Sequence, residues 1–192
     1  MAMSPGKTSD YLSPFKILVV EPNQLMRRVT RSLLSMLGAR RIFDCSDSDT
    51  AKSYLKAGDI DFILSEWYLY TSQGVELVRW LRDNPSEIRY TPFIMVTSQT
   101  RVENVLLARN LGITEFVAKP FSANSLVTRI REVIERPRPF VSTRKYFGPD
   151  RRRRTKPTDE GGDRRKNEAM LIDGRSLNQD QIDKLVAGDV IR

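Results

Sequence analysis

Short strand-like segments alternate with helical patterns along most of this chain, and that alternation constrains its fold more than any other feature. Candidate strands lie at residues 17–20, 41–43, 62–64, 93–96 and 115–117. After each of them, leucine, valine, isoleucine or alanine recurs at the spacing of one helix face. Strands alternating with helices predict an α/β fold: a doubly wound (βα)5 domain with a five-stranded parallel sheet covered on both faces.

The composition changes after Pro137. Prolines, arginines and glycines dominate there, and apolar periodicity is lost until Leu171, as is typical of a disordered tail. Ser176 and Gln179 match a capping box and Gly188 lies near the end of a last apolar pattern, so we expect a short terminal helix. The expected regions are a flexible lead-in, the α/β domain, an arginine-rich tail and this helix, over residues 1–14, 15–136, 137–170 and 171–192.

The overall composition narrows the classes of function. The 192 residues carry a net charge of +8 and include no histidine, which excludes histidine-dependent triads and the usual metal sites. No signal peptide and no membrane-spanning run is recognisable, and Cys45 is the only cysteine, so we expect a cytoplasmic protein. Residues 137–192 hold 14 basic and 9 acidic side chains, which indicates an anionic partner for the tail.

Polar residues follow several of the predicted strands. In folds of this kind the working site lies at the carboxyl ends of the strands. The first strand is followed by Glu21 and Pro22, the third by Glu66, and the last two by Thr97 and Lys119. With the Lys-Pro pair at 119–120, this pattern resembles the response-regulator receiver family, the CheY-like domains, over residues 15–136.

The resemblance implies a degenerate phosphoacceptor site. In that family an acidic pair belongs at positions 21 and 22 and a phosphorylatable aspartate at 66, while Thr97 and Lys119 match the hydroxyl and the lysine that read the phosphoryl group. Here Pro22 offers no side-chain ligand and Glu66 is one methylene longer than aspartate. We therefore expect no Mg²⁺, no catalytic residue and no enzymatic activity, because magnesium needs several hard oxygen ligands.

Two interpretations of Glu66 stay open. Its carboxylate can mimic a phosphorylated aspartate, pair permanently with Lys119 and hold Thr97 inward. Alternatively, Glu66 is only a polar residue at the sheet edge, paired with Lys119 and switching nothing. Phe116 stands where the family has its aromatic switch residue, but an aromatic at a strand end also suits the core.

Two similar blocks mark the basic tail. Residues 148–152 and 161–165 share glycine, aspartate and two arginines in the same order. A polycation needs no aspartate in register, whereas an aspartate can accept hydrogen bonds from guanine N1 and N2, and an arginine fork can reach O6 and N7 or a phosphate. The candidate nucleotide-binding residues are Tyr146, Phe147, Asp150, Arg151, Arg152, Arg153, Arg154, Asp163, Arg164 and Arg165.

Two copies of such a block suit cyclic di-GMP, which has two guanines and two phosphates. The tail resembles the arginine-rich extension of the CheY-like cyclic di-GMP effectors of alphaproteobacteria, the Cle family. The alternative is a solvated basic tail that binds nucleic acid or anionic lipid. We consider nucleic acid the less favoured partner.

Residues 177–189 carry leucine and glutamine at 177 and 179, isoleucine and aspartate at 182 and 183, and glycine at 188. With conservative departures at Asn178 and Val186, this pattern resembles the N-terminal peptide of the flagellar switch protein FliM, which binds the face of CheY formed by its fourth helix, fifth strand and fifth helix. Here Ile182, Leu185 and Val186 would be the anchors, with Phe116 on the receiving side. The helix would occupy this chain's own receiver face or that of another receiver. A plain amphipathic helix that packs elsewhere is the alternative.

Together these features predict a phosphorylation-independent signalling adaptor that binds cyclic di-GMP and acts on the flagellar motor or attachment machinery. Two other classes remain open. One is a phosphorelay receiver with atypical phosphorylation, using Ser65 or a weak metal site, and the other is a nucleic-acid-binding protein that uses the basic tail.

Overall fold

The computed structural model describes residues 10–144, 146–151 and 176–188. The chain divides into two units, residues 1–95 and residues 96–192. Its strands form a five-stranded parallel sheet in the order β2-β1-β3-β4-β5, with a separate two-stranded sheet, β6-β7. The predicted α/β fold is confirmed.

From residue 10 onward, the first unit contains four strands and three α-helices in strict alternation. Their bounds are β1 Lys16–Val20, α1 Gln24–Met36, β2 Arg41–Cys45, α2 Ser48–Ala57, β3 Phe62–Ser65, α3 Gly74–Asp83 and β4 Phe93–Thr97, the last reaching into the second unit. A short 3-10 helix, Glu87–Tyr90, precedes β4. β1 lies between β2 and β3, with Ile17 opposite Ile42 on one side and Phe62 on the other.

β1, β3 and β4 are largely buried because they read as nearly continuous apolar segments, as parallel strands covered on two faces do, whereas β2 at the edge of the sheet is mostly half-buried. β3 and β4 are buried along their whole length. The helices begin where side chains satisfy free backbone N–H groups: Asn23 accepts from Met26 N–H and Asp47 accepts from Thr50 N–H. Gly58 ends α2 with a positive φ of 86°.

Within its described residues, the second unit contains three helices, one strand of the large sheet and a hairpin. Their bounds are α4 Val102–Leu111, β5 Glu115–Ala118, α5 Ala123–Glu135, β6 Phe140–Thr143, β7 Tyr146–Pro149 and α6 Gln179–Val186. Gly112 ends α4 in the left-handed region, and Ser122 caps α5. Both termini follow the ordinary capping preferences of helices.

Three details differ from the sequence predictions. Leu12, expected in a flexible lead-in, is fully buried, and its N–H donates to Leu37 O at 3.1 Å. A β-hairpin lies at the start of the segment for which we expected no regular structure, and residues 152–175 lie outside the described part of the chain. The terminal helix is confirmed, but Asn178 and Gln181 form its capping box in place of Ser176 and Gln179.

No helix within the described ranges combines the length and the apolar character that a bilayer crossing requires.

Candidate functional site

Two acidic residues follow strands of the first unit, as the sequence predicts. Glu21 comes directly after β1 and is buried, and its Oε1 accepts a hydrogen bond from Asn23 N–H at 3.0 Å. Glu66 comes directly after β3, and its Oε1 accepts from Trp67 N–H at 2.6 Å. Each carboxylate thus has one oxygen bonded to the backbone of its own loop.

A glycine holds the loop after β3 close to α3. Gly74 N–H donates to Trp67 O at 2.6 Å. A Cβ atom at Gly74 would collide with the carbonyl oxygen of Glu66. The backbone that carries Glu66 is therefore fixed by a close approach that only glycine allows.

The second unit brings together the other two residues of the predicted receiver site. Lys119 N–H donates to Thr97 O at 2.8 Å, so the two residues are neighbours through their backbones. The Thr97 side chain is fully buried, and its hydroxyl oxygen accepts from Gln99 N–H at 3.2 Å. The Lys119–Pro120 peptide bond is cis. The ion pair between Glu66 and Lys119 stays a prediction.

The expectation that the site holds no magnesium stays a prediction, and it depends on the one acidic residue, Glu21, that stands where the receiver resemblance implies two. Pro22 supplies no side-chain oxygen beside Glu21. Over the described ranges, no group of three histidine, cysteine or acidic side chains is arranged to hold a metal ion. Magnesium prefers near-octahedral oxygen coordination, usually through carboxylates and water, and Glu21 and Glu66 each commit one oxygen to the backbone.

Four of the predicted nucleotide-binding residues lie on or beside the hairpin. The guanidinium of Arg151 stacks on the ring of Tyr146, 4.0 Å from the ring centre, and Phe147 packs against Phe140 with ring centres 5.6 Å apart. Asp150 N–H donates to Pro139 O at 2.8 Å. The other six residues lie outside the described part of the chain: Arg152, Arg153, Arg154, Asp163, Arg164 and Arg165.

A buried arginine joins the hairpin to the terminal helix. Arg138 precedes β6, and its Nη1 donates to Asp150 O at 3.4 Å and to Val186 O at 3.5 Å. Burial lowers the pKa of Arg138, while the neighbouring Asp150 opposes that shift. Arg138 was not predicted as a contact residue, because a single arginine in a basic tail looks like any other.

The terminal helix contacts α4 and β5 of its own chain. The three anchors predicted for it, Ile182, Leu185 and Val186, are all buried, as is Leu177 just before the helix. Phe116 of β5 is also buried, which agrees with its interpretation as a core residue. Of the two receiver faces considered for this helix, the structure shows the chain's own.

Polar contacts fix the position of α6. The Gln179 side chain accepts from Ala118 N–H at 2.7 Å and donates to Phe116 O at 2.9 Å. Arg109 of α4 donates to Leu185 O at 3.0 Å, near the carbonyl end of α6. Neither Gln179 nor Arg109 was predicted as a contact residue, although Gln179 is part of the pattern that resembles the FliM peptide.

An ion pair links α6 to α5. Arg129 of α5 pairs with Asp183 of α6 and lies 3.8 Å from Glu115 at the start of β5. Gln179 also donates to Asp183 at 2.8 Å, one turn away on the same helix. All three elements named for the predicted face, α4, β5 and α5, therefore contact α6. We call this surface, with Arg109, Phe116, Ala118 and Arg129, the seat of α6.

Comparison with known proteins gives the family. Residues 17–131 match the model of the response regulator receiver domain. The chemotaxis protein CheY-3 of Vibrio cholerae is 32% identical over 121 residues, which is 63% of this chain and 92% of that protein. The chemotaxis protein CheY of Pseudomonas aeruginosa is 31% identical over 121 residues, covering 63% of this chain and 97% of that protein.

Solved structures support the same fold. The chemotaxis response regulator CheY4 of Vibrio cholerae matches with a TM-score of 0.58 at 24% identity, over 62% of this chain and 98% of that one. The receiver domain of a Pseudomonas aeruginosa sensor histidine kinase, solved with magnesium in its active-site cleft, matches with a TM-score of 0.58 at 25% identity, over 63% and 98%. This chain therefore belongs to the response regulator receiver domain family.

Proposed function

We propose that this response regulator is a signalling adaptor that takes cyclic di-GMP as its input, in place of a phosphoryl group. The ligand binds the arginine-rich segment that begins at the hairpin, and the output is a protein–protein contact made in the cytoplasm. Neither phosphoryl transfer nor another enzymatic step is part of this role.

The observation that carries the proposal is the stack of Arg151 on Tyr146. The guanidinium lies 4.0 Å from the ring centre, and Asp150 is the adjacent residue. A planar cation, an aromatic face and a carboxylate are the groups that recognise guanine: the carboxylate accepts from N1 and N2, while arginine and tyrosine planes stack on the purine. A solvated polycation needs neither the aromatic ring nor the acid.

The second block, residues 161–165, binds the other half of the ligand. Asp163, Arg164 and Arg165 repeat the order of Asp150, Arg151 and Arg152. Cyclic di-GMP carries two guanines and two phosphates, so one block for each nucleotide is the simplest arrangement. The arginines that follow the first block then neutralise phosphate.

The receiver site supports an input other than phosphorylation. Glu66 occupies the acceptor position with a carboxylate, and Pro22 removes one of the acidic ligands expected for Mg²⁺. We propose that Glu66 pairs with Lys119 and that the domain serves as a fixed scaffold for a binding face, with no metal.

For the target we propose the flagellar motor switch or a related attachment machine. The two relatives named above are chemotaxis proteins. The terminal helix carries the pattern that resembles a FliM peptide, and it lies on α4 and β5 of this chain. Partners at this face are then flagellar switch proteins or other receivers.

The test is a comparison of ligands and salt concentrations. The full chain is titrated with cyclic di-GMP, cyclic di-AMP and single-stranded DNA at low and at physiological salt. The proposal expects cyclic di-GMP to bind well above cyclic di-AMP, with a modest loss of affinity on salt addition. Binding that is equal for all three ligands and falls steeply with salt would show a polycation instead.

A further inference from the structure

The apolar side chains of α6 are buried in its seat. Ile182, Leu185 and Val186 are each at most 1% exposed, and Leu177 is 4% exposed. An isolated eight-residue helix is not stable in water, because nucleation costs more than so few hydrogen bonds return. The helix therefore exists because the surface of α4 and β5 holds it.

The seat also satisfies a sheet edge. β5 is the last strand in the order of the five-stranded sheet. Exposed edge strands present backbone groups that bind another strand or must be covered. Here the Gln179 amide takes Ala118 N–H and Phe116 O, as a neighbouring strand would. Just before the helix, Leu177 N–H donates to Thr100 O at 2.8 Å.

Charged groups select the direction of the helix. Arg109 donates to Leu185 O near the negative end of the α6 dipole, and Arg129 pairs with Asp183 in the middle. Reversing the helix would remove both contacts. The surface thus binds a helix that carries apolar anchor residues, an amide side chain that reaches the sheet edge and a carboxylate that pairs with Arg129.

Gly188 fixes the end of the seated segment. Its φ is +84°, and a Cβ atom there would lie 2.7 Å from Arg151 O. Arg138 donates to Val186 O and to Asp150 O. The terminal helix and the start of the arginine-rich segment therefore share contacts at a single place.

We propose that α6 is a cis competitor, which holds this surface closed against a helix of a partner protein with the same pattern. Such a helix carries leucine, glutamine, isoleucine, aspartate and leucine at the spacing of Leu177, Gln179, Ile182, Asp183 and Leu185. The inference rests on the adaptor role proposed above and adds the surface, the chemistry of its partner and the segment that blocks it.

Because α6 belongs to the same chain as the surface, it has an advantage over the helix of a partner protein. A segment on the same chain competes at an effective concentration on the order of a millimolar. A partner helix of equal intrinsic affinity is excluded until its concentration approaches that level. The partner gains the surface when α6 is withdrawn, and the contacts shared with Asp150 and Arg151 place that step beside the proposed ligand site.

The test uses the chain's own segment as the partner. A fluorescein-labelled, end-capped peptide of residues 176–188 is titrated with the full chain as wild type and as the variants Ile182→Asp and Lys184→Asp. Ile182 is buried, so an aspartate there expels α6 from the seat. Lys184 is exposed, so the same side chain there leaves α6 seated.

The proposal expects Ile182→Asp to bind the peptide at least tenfold more tightly than the wild type and Lys184→Asp do. A peptide with Gln179→Ala must bind more weakly to every protein tested. Equal binding by all three proteins, or no binding by any, would overturn the proposal. Circular dichroism checks that the variants are folded, and Gln179→Glu in the full chain serves as a milder opening variant.

Sedimentation of the wild type separates cis from trans occupancy. A monomer at micromolar concentration is expected if α6 occupies its own surface. A dimer that dissociates on addition of the unlabelled peptide would mean that α6 is exchanged between copies, which contradicts the cis arrangement. None of these experiments contains nucleotide, so their failure leaves the cyclic di-GMP proposal intact, and the reverse also holds.

Discussion

The side-chain oxygen of Gln179 accepts a hydrogen bond from the backbone N–H of Ala118 at 2.7 Å. The nitrogen of the same amide donates to Phe116 O at 2.9 Å. One side chain on a short terminal helix thus satisfies a donor and an acceptor on β5, the last strand of the sheet. This pair of contacts links the end of the chain to the face by which we expect the domain to act.

Removing the amide is predicted to loosen the end of β5. Gln179→Ala leaves Ala118 N–H and Phe116 O without their present partner, at a cost of about 1–3 kcal/mol in stability. Amide hydrogen exchange at Ala118 is expected to quicken at least tenfold. Lys184→Ala, on the exposed face of the same helix, is the control and leaves the exchange rate unchanged. Slow exchange at Ala118 in both variants would mean that Gln179 does not protect this edge.

The Arg129–Asp183 ion pair is predicted to contribute about 1 kcal/mol, because both side chains are largely withdrawn from water. A double-mutant cycle with Arg129→Met and Asp183→Asn, followed by urea unfolding, measures the coupling. The coupling is expected to weaken in high salt. Additive effects of the two substitutions would show that the pair contributes nothing to holding α6.

Acyl-phosphate labelling is predicted to fail in the wild type and in Glu66→Asp alone. The acceptor carboxylate is restored in that variant, but Pro22 still offers no ligand for Mg²⁺. The double variant Pro22→Asp with Glu66→Asp is expected to accept label from acetyl phosphate in the presence of Mg²⁺. Labelling of the wild type would contradict the account and favour an atypical phosphorelay.

Cys45 is predicted to report unfolding. Burial raises the pKa of its thiol to about 12, so the native thiol stays protonated at pH 8. An Ellman-type disulfide reagent is expected to label the native chain at least a hundredfold more slowly than the chain in guanidinium. Rapid native labelling would mean that β2 opens at its end.

The raised pKa of the Cys45 thiol also lowers the stability of the fold at alkaline pH. The unfolded thiol ionises near pH 8.5 and the folded one near 12. The contribution of Cys45 is therefore complete below pH 8.5 and is lost as the pH rises toward 12. Cys45→Ala removes this component, so the alkaline slope of the melting temperature is expected to be shallower in that variant.

The elements of the large sheet were predictable because each follows local rules. Apolar runs bounded by turn residues gave all five strands within one or two residues, and Gly58 and Gly112 end helices where a positive φ is needed. β2 runs on to Cys45, beyond the predicted end, because its later residues continue the pairing with β1.

The hairpin β6-β7 was missed because composition outweighed local pattern. Residues 137–149 hold three prolines and three basic residues, although Phe140, Val141 and Phe147 are good strand residues. An isolated two-stranded hairpin is at best marginally stable, so its presence depends on packing, and β7 contacts α4. No local rule reveals that contact.

The candidate site was predicted in part for the same reason. The residues at 21, 66, 97 and 119 lie at or just after the ends of strands, and the receiver resemblance selected them among the residues there. The capping box could not be predicted in this way. Ser176 and Gln179 have the right spacing, but Leu177 N–H donates to Thr100 O and the Gln179 amide binds the backbone of β5. Tertiary contacts reassigned both residues.

Calorimetric titration of cyclic di-GMP into the full chain tests the central claim most directly, with two matched variants. In one, Arg151, Arg152, Arg153 and Arg154 become alanine, and in the other they become lysine, which keeps the charge but lacks the planar fork. The account predicts tight binding to the wild type and a loss of at least a hundredfold in both variants. Full binding by the lysine variant, or no binding by the wild type, would contradict it.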